Sequence, residues 1–254
     1  MMIEEGVLKN PDVDAIFGLH ITQGFGVGEV GFRSMGMMAS AEMFVIKVTG
    51  RQTHAAMPWR GVDPIVIASQ IVLGLQTIIS RQVESTLAPA IITVGTIHGG
   101  VRNNIIPDDV EMKGTIRTFD PGMRDEIHQR MKRTVENIAE SAGAIAELTI
   151  YPGVPVTYND PQLTDKMTPT LERVYGDDKV LEAPRVTGAE DFSFFQKEVP
   201  GFFFFIGARP ADIPREKSIP NHSPHFYVDE AALLPGVQAM AGLAVDYLEM
   251  HAGK

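Results

Sequence analysis

From Phe44 to Tyr151 the period of the apolar residues switches twice, from two to between three and four and back again, and this restricts the fold more than any other feature. Phe44 to Val48 is a β-branched-rich run stopped by Gly50, which reads as a strand. Asp63-Pro64 then has the chemistry of an N-cap followed by a first helical residue. The carboxylate accepts orphan backbone N–H groups, and the proline has no N–H to leave unpaired. Ile65, Ala68, Ile71, Val72, Leu75, Ile78 and Ile79 follow at helical spacing and predict one buried face. Ile91 to Ile97 is a buried-looking strand, joined through Gly99-Gly100 to Pro107-Asp108 with a strand whose Val110, Met112 and Ile116 share a face. Asp120-Pro121 opens a second helix carried by Met123, Ile127, Met131, Val135 and Ile138, and Gly143 is placed to end it. Ala146, Leu148 and Ile150 alternate with Glu147, Thr149 and Tyr151 until Pro152-Gly153 breaks the run. The order βαββαβ predicts a ferredoxin-like arrangement with two helices on one sheet face.

The flanking segments read as mixed α/β. Met1, Met2, Ile3, Val7 and Leu8 resemble the second half of an amphipathic helix ended by Asn10-Pro11, and Asp14 to Ile21 is a strand finishing on Gly18-Leu19-His20. No helical pattern follows Gly24, Gly26 and Gly28, so they are loop and bulge positions and not a dinucleotide fingerprint. Asp160-Pro161 starts a helix using Leu163, Met167, Leu171 and Val174, with Pro169 weakening it and Gly176 closing it. Phe202 to Ile206 is a central strand, and a last helix is capped by Asp229 and carried by Leu233, Val237, Met240, Ala244 and Val245. Residues 1–36 and 153–254 thus supply three or four strands with few covering helices, which creates the expectation that further structure precedes them.

Composition narrows the function. A formal net charge of −10 with no basic cluster argues against nucleic-acid or anionic-membrane partners. The absence of cysteine excludes disulfides and thiolate metal sites. No stretch is read as approaching a membrane span and no signal peptide is evident, so the expectation is a soluble, cytoplasmic protein.

Three places carry chemistry. His54 sits within the small, apolar run Thr49 to Pro58; His20 ends a strand; His222 lies in the loop Asn221 to Phe226. Glu190 and Asp191 begin a short helix, and catalytic groups of α/β proteins collect at such strand ends. Two histidines and a carboxylate can hold a divalent metal, yet a lone histidine more often satisfies a local hydrogen bond. Spacing leaves both readings open. His98, His128 and His251 take the structural reading, the last two in exposed helical surroundings, and His225 is ambiguous.

Read together, however, these residues fall into a known order. Gly18-Leu19-His20, Gly50 to Pro58, Asp63-Pro64, Leu75-Gln76, Arg81, Asn104 to Pro107, Gly114 to Phe119, Gly188 to Phe192 and His222-Ser223-Pro224 resemble the metal-dependent amidohydrolases. That family includes hippurate hydrolase, N-acyl-amino-acid aminoacylases and auxin-conjugate hydrolases, and is related to carboxypeptidase G2. The resemblance covers nearly the whole chain. It implies an α/β metallohydrolase catalytic domain, here incomplete, formed by residues 1–36 and 153–254, with an inserted ferredoxin-like lid and dimerisation domain at 37–152. It further implies a two-ion site for zinc, manganese or cobalt, with His20 and His222 as metal ligands and Glu190 nearby. His54 becomes the catalytic histidine that stabilises the oxyanion, and Asn104 and Arg117 hold substrate, the arginine suiting a carboxylate.

The implied activity is cleavage of the amide bond of N-acyl amino acids or short peptides by a homodimer. The implied geometry has His54 acting across the dimer. The resemblance covers the C-terminal two-thirds of such an enzyme. The family's first ligand segment and its adjacent glutamate pair are expected upstream, and Glu4-Glu5 reads as surface helix and no substitute. This chain alone is therefore expected to be inactive, and the alternative is a non-catalytic dimerisation or binding module left from such an enzyme.

Overall fold

The computed structural model describes residues 1–252. In chain order its strands and helices begin with β1 (Ile16–Gly26), β2 (Val30–Phe32), β3 (Met35–Met38), β4 (Ala41–Thr49), β5 (Thr53–His54), α1 (Pro64–Arg81) and β6 (Ala90–Gly99). They continue with β7 (Ile105–Ile106), β8 (Asp109–Thr118), α2 (Pro121–Ser141), β9 (Ile145–Val154), β10 (Thr157–Asn159) and α3 (Pro161–Tyr175). The last are β11 (Val180–Glu182), α4 (Ser193–Gln196), β12 (Gly201–Arg209) and α5 (Leu233–His251). The chain divides into two compact units: a first of Met1–Met38, Thr157–Val186 and Glu190–Lys254, and a second of Ala39–Val156 with Thr187–Ala189.

The second unit is a four-stranded sheet in the order β6-β8-β4-β9, antiparallel throughout. Strand alternation puts Phe44, Ile46 and Val48 of β4 beside Val110, Met112 and Ile116 of β8 in one core, to which α1 and α2 contribute. Both helices start where capping chemistry says they should. The Asp63 carboxylate accepts from the backbone N–H groups of Ile65 and Val66, and Asp120 accepts from Met123. The α2 face is the expected one through Val135, but α1 buries Ile67, Ala68, Ile71, Leu75 and Ile78 while Ile65, in the capped first turn, is exposed. Two strands depart further from expectation. β6 is an edge strand with Ile91 and Ile97 exposed, because it pairs only with β8. β9, the opposite edge, runs through Pro152-Gly153 to Val154; an edge strand tolerates a proline because one row of its N–H groups needs no partner.

In the first unit, the sheet order is β1-β12-β2-β11, with β12 parallel to β1 and antiparallel to β2. Every residue of β12 from Gly201 to Ala208 is buried, as a central strand requires. Asn159, fully buried at the end of β10, fastens this strand. Its Nδ2 donates to the Arg33 and Phe203 carbonyls at 2.8 Å each, and its Oδ1 accepts from Phe203 N–H at 2.7 Å and Gln196 Nε2 at 3.1 Å. All four hydrogen-bonding positions of the amide are used.

Helix α3 buries Leu163, Met167 and Leu171 and continues through Pro169 to Tyr175. α5 presents a different face from the one expected: Gly236, Ala239 and Leu243 are buried, while Leu233, Val237 and Val245 are exposed. Small residues permit close packing, and a Cβ on Gly236 would already lie 3.0 Å from Ile206 Cδ1. Residues 2–12 form successive turns and not the expected helix, since Gly6 takes φ +83°. By length and composition α1 and the stretch Glu230–His251 are apolar enough to cross a membrane, contrary to the sequence reading; α1 spends much of that apolarity in the core just described.

One ionic cluster is buried in the second unit. The Glu42 side chain is 1% exposed and accepts two hydrogen bonds from Arg124, at 2.9 and 2.6 Å, and one from His128 Nε2 at 2.9 Å. His128 is thus no free surface histidine. Burial alone raises the Glu42 carboxyl, but hydrogen bonds from His128 and Arg124 outweigh it and hold it below its ordinary value of 4.5. A depressed carboxyl stabilises the fold above the unfolded value, and that contribution is lost as pH falls through the folded value. Urea unfolding of Glu42→Gln at pH 7 is expected to show a loss of about 2–3 kcal/mol. The gap from wild type should close in acid below pH 4.5; a gap unchanged there would contradict the assignment.

Candidate active site

In the first unit, parallel pairing puts His20 of β1 opposite Phe205 of β12, with the two rings edge to face at 6.2 Å. His20 Nδ1 lies 2.8 Å from the Ile21 carbonyl, which can only accept. Nδ1 therefore carries a proton, and in the neutral ring the Nε2 lone pair is free. Two residues before it, a Cβ on Gly18 would stand 2.8 Å from the Phe192 ring, so Gly18-Leu19-His20 and the turn bearing Glu190 pack together only because residue 18 is glycine. Glu190 Oε1 accepts from Phe192 N–H at 3.4 Å, within the turn that seats that ring.

His222 is exposed and holds φ +70°, a left-handed conformation costly for a residue with a Cβ. Three side-chain hydrogen bonds join its loop to the end of β1. Asn221 Nδ2 donates to the Ile21 carbonyl at 2.8 Å, the same oxygen that receives His20. Gln23 Nε2 donates to the Tyr227 carbonyl at 2.7 Å, and Gln23 Oε1 accepts from Ile219 N–H at 2.8 Å. His20 and the backbone before His222 thus meet at one carbonyl. Among the described residues, no group of three or more His, Cys, Asp or Glu side chains is arranged to hold a metal ion.

The second unit brings two other candidates together. β5 pairs with β7 so that His54 faces Ile105, and Ala55 N–H donates to the Asn104 carbonyl at 3.0 Å. Ala56 N–H donates to His54 Nδ1 at 3.0 Å, so that nitrogen is unprotonated and Nε2 carries the proton, on an exposed ring. Arg117 is elsewhere. β4 and β8 pair Thr49, just before the His54 loop, with Asp109, while Arg117 is eight residues along β8, roughly 25 Å away at strand rise. There its Nη1 donates to Thr115 Oγ1 at 2.7 Å beside an open cavity of about 290 Å³ that Met43 and Tyr151 also line.

Comparison with known proteins resolves what these blocks belong to. The model for peptidase family M20/M25/M40 matches residues 1–246. The chain belongs to peptidase family M20/M25/M40. It is 39% identical over 250 residues to thermostable carboxypeptidase 2 of Saccharolobus solfataricus, covering 97% of this chain and 61% of that one. It is 36% identical over 248 residues to the N-acetylcysteine deacetylase of Bacillus subtilis, covering 98% and 62%. A solved structure of a dinuclear metal-binding M20 peptidase from Bacillus subtilis superposes with a TM-score of 0.78 at 33% identity, over 98% of this chain and 60% of that one. The chain shares the mixed α/β fold of this family and spans under two thirds of the length of these relatives.

Within this M20 chain the donor set bears on the family's metals. Metal-binding histidines commonly donate their other ring N–H to a carbonyl, which is the arrangement of His20. The sequence does not announce the roles of Gln23 and Asn221, because their bonds span 196 to 204 positions and leave no local pattern. The strain at residue 222 is measurable. Both His222→Gly and His222→Ala remove the imidazole, but only glycine accepts φ +70° freely. Thermal unfolding should find His222→Gly more stable than His222→Ala by about 1 kcal/mol. Equal stabilities would mean that the left-handed conformation is not held in solution.

Proposed function

We propose that the protein is a metal-dependent hydrolase that cleaves the amide bond of N-acyl amino acids or short peptides. The observation that carries this reading is the opposite hydrogen bonding of two histidines at Nδ1, which in their neutral rings gives His20 a lone pair at Nε2, suited to a metal, and His54 an N–H at Nε2, suited to an oxyanion. His20 and His222 serve as metal ligands from the first unit, with Glu190 near them. Divalent ions held there, zinc, manganese or cobalt, would polarise the acyl carbonyl as Lewis acids and make water a better nucleophile. His54 donates its Nε2 proton to the developing oxyanion, Asn104 contacts the substrate, and the Arg117 fork binds the carboxylate of the amino-acid half. Two imidazoles do not complete a two-ion site, so the working enzyme draws further ligands and a general base from outside the candidate residues.

Residues 37–152 act as a ferredoxin-like lid and dimerisation domain. The roughly 25 Å along β8 between Arg117 and the His54 end supports sharing between subunits, because one small substrate cannot touch both within a single chain. A non-catalytic dimerisation or binding module is the competing reading, and what favours it is that no group of three or more His, Cys, Asp or Glu side chains among the described residues is arranged to hold a metal.

Activity separates the two. Residues 1–254 alone should bind zinc weakly and turn over little. Fused to the part of the Bacillus subtilis deacetylase outside the matched region, the chain should release free amino acids from N-acyl substrates in a metal-dependent way. No turnover by a folded, metal-loaded fusion would favour the module. In that active form His54→Ala should retain folding and metal while turnover falls about a hundred- to a thousandfold. Mixing His54→Ala with His222→Ala subunits should restore activity in heterodimers, each of which regains one complete site. No recovery despite proven subunit exchange rejects sharing.

A further inference from the structure

We infer that Gln23 is a positioning residue, whose buried amide holds the loop that carries His222 against the end of β1. The inference deepens the proposal above and rests on it only in taking His222 for a metal ligand. Gln23 is 1% exposed, and its amide makes one bond on each side of the loop, to Ile219 N–H before His222 and to the Tyr227 carbonyl after it. A buried amide with both ends engaged across 196 and 204 residues of sequence fixes a loop in a way an apolar side chain cannot.

Asn221 adds a third tie, to the Ile21 carbonyl that His20 also uses. These ties account for a strained feature. A left-handed histidine persists only where the surroundings over-determine it, and residue 222 lies between the two Gln23 contacts and directly after the Asn221 one. Both Gln23 bonds go to the loop backbone and neither to an imidazole, so its influence on metal binding runs through that backbone.

The test uses the chain in the fused, metal-binding form described above and compares it with its Gln23→Leu, Gln23→Glu and, as a mild core control remote from this loop in sequence, Leu171→Val variants. Leucine keeps much of the volume and neither hydrogen bond; glutamate keeps the acceptor for Ile219 N–H and loses the donor to Tyr227. Amide exchange of residues 219–227 and zinc affinity by calorimetry are the two readouts. Gln23→Leu should speed exchange at Ile219 about tenfold and weaken zinc binding about tenfold, with Gln23→Glu between it and wild type and Leu171→Val changing neither. Unchanged exchange at 219–227 in Gln23→Leu overturns the inference, as does a loss of zinc affinity no larger than that of Leu171→Val. His20→Ala and His222→Ala distinguish the underlying reading: if neither weakens zinc binding, the ligand assignment has failed, and exchange at Ile219 alone decides the role of Gln23.

Discussion

A strand buried on both faces must present two different apolar surfaces at once, and β12 does so with alternate residues. Phe202, Phe204 and Ile206 join the core with α3 and α5, while Phe203 and Phe205 pack with Phe25, Met37, Met38 and Ala183. Burying each such side chain contributes about 1.5–3 kcal/mol, and a slip of one residue would exchange the two sets. Neighbouring strands inherit that register. β1 lies beside β12 with His20 opposite Phe205, and β10 is tied to Phe203 by the Asn159 amide. The position of the candidate ligand therefore follows from apolar packing beneath it, and the polar groups of Gln23 and Asn221 then set where the second histidine's loop can lie.

The second unit reaches a comparable result by backbone geometry. β4 ends just before Gly50, and from there the His54 loop is held by backbone donors: Gly50 N–H to the Asp108 carbonyl at 2.8 Å, and Gln52 N–H to the Asp108 carboxylate at 3.0 Å. A Cβ at residue 50 would come within 2.3 Å of the Val62 carbonyl, so the loop closes only over glycine. His54 is left exposed with its protonated nitrogen unused by Ala56. A histidine donor presented to solvent from a loop held by backbone hydrogen bonds costs little to reorganise when charge develops beside it.

Much of this was readable from residue pattern. Aspartate-proline caps located α1, α2 and α3 because cap chemistry is local, and Phe202 to Ile206 announced a central strand because no surface tolerates such a run. What failed depended on neighbours that the local pattern does not name. β6 looked buried from its β-branched content but pairs on one side only. α5 was read by its large apolar residues, whereas close approach selected Gly236 and Ala239. His128 looked like a surface residue because its partner, Glu42, is 86 positions away. At the candidate site the histidines themselves were legible as motifs; the groups that orient them were not, since a bond from Gln23 to Tyr227 leaves no periodic trace.

The central claim is that His20 and His54 are prepared for opposite tasks by the protonation their backbone partners impose. Long-range proton–nitrogen correlation spectra of histidine-labelled protein read each ring directly. They should show His20 protonated on Nδ1 and His54 on Nε2, and zinc should perturb the Nε2 signals of His20 and His222 while leaving His54 unchanged. A proton on His20 Nε2, or zinc acting at His54 and not at His20, would contradict the account.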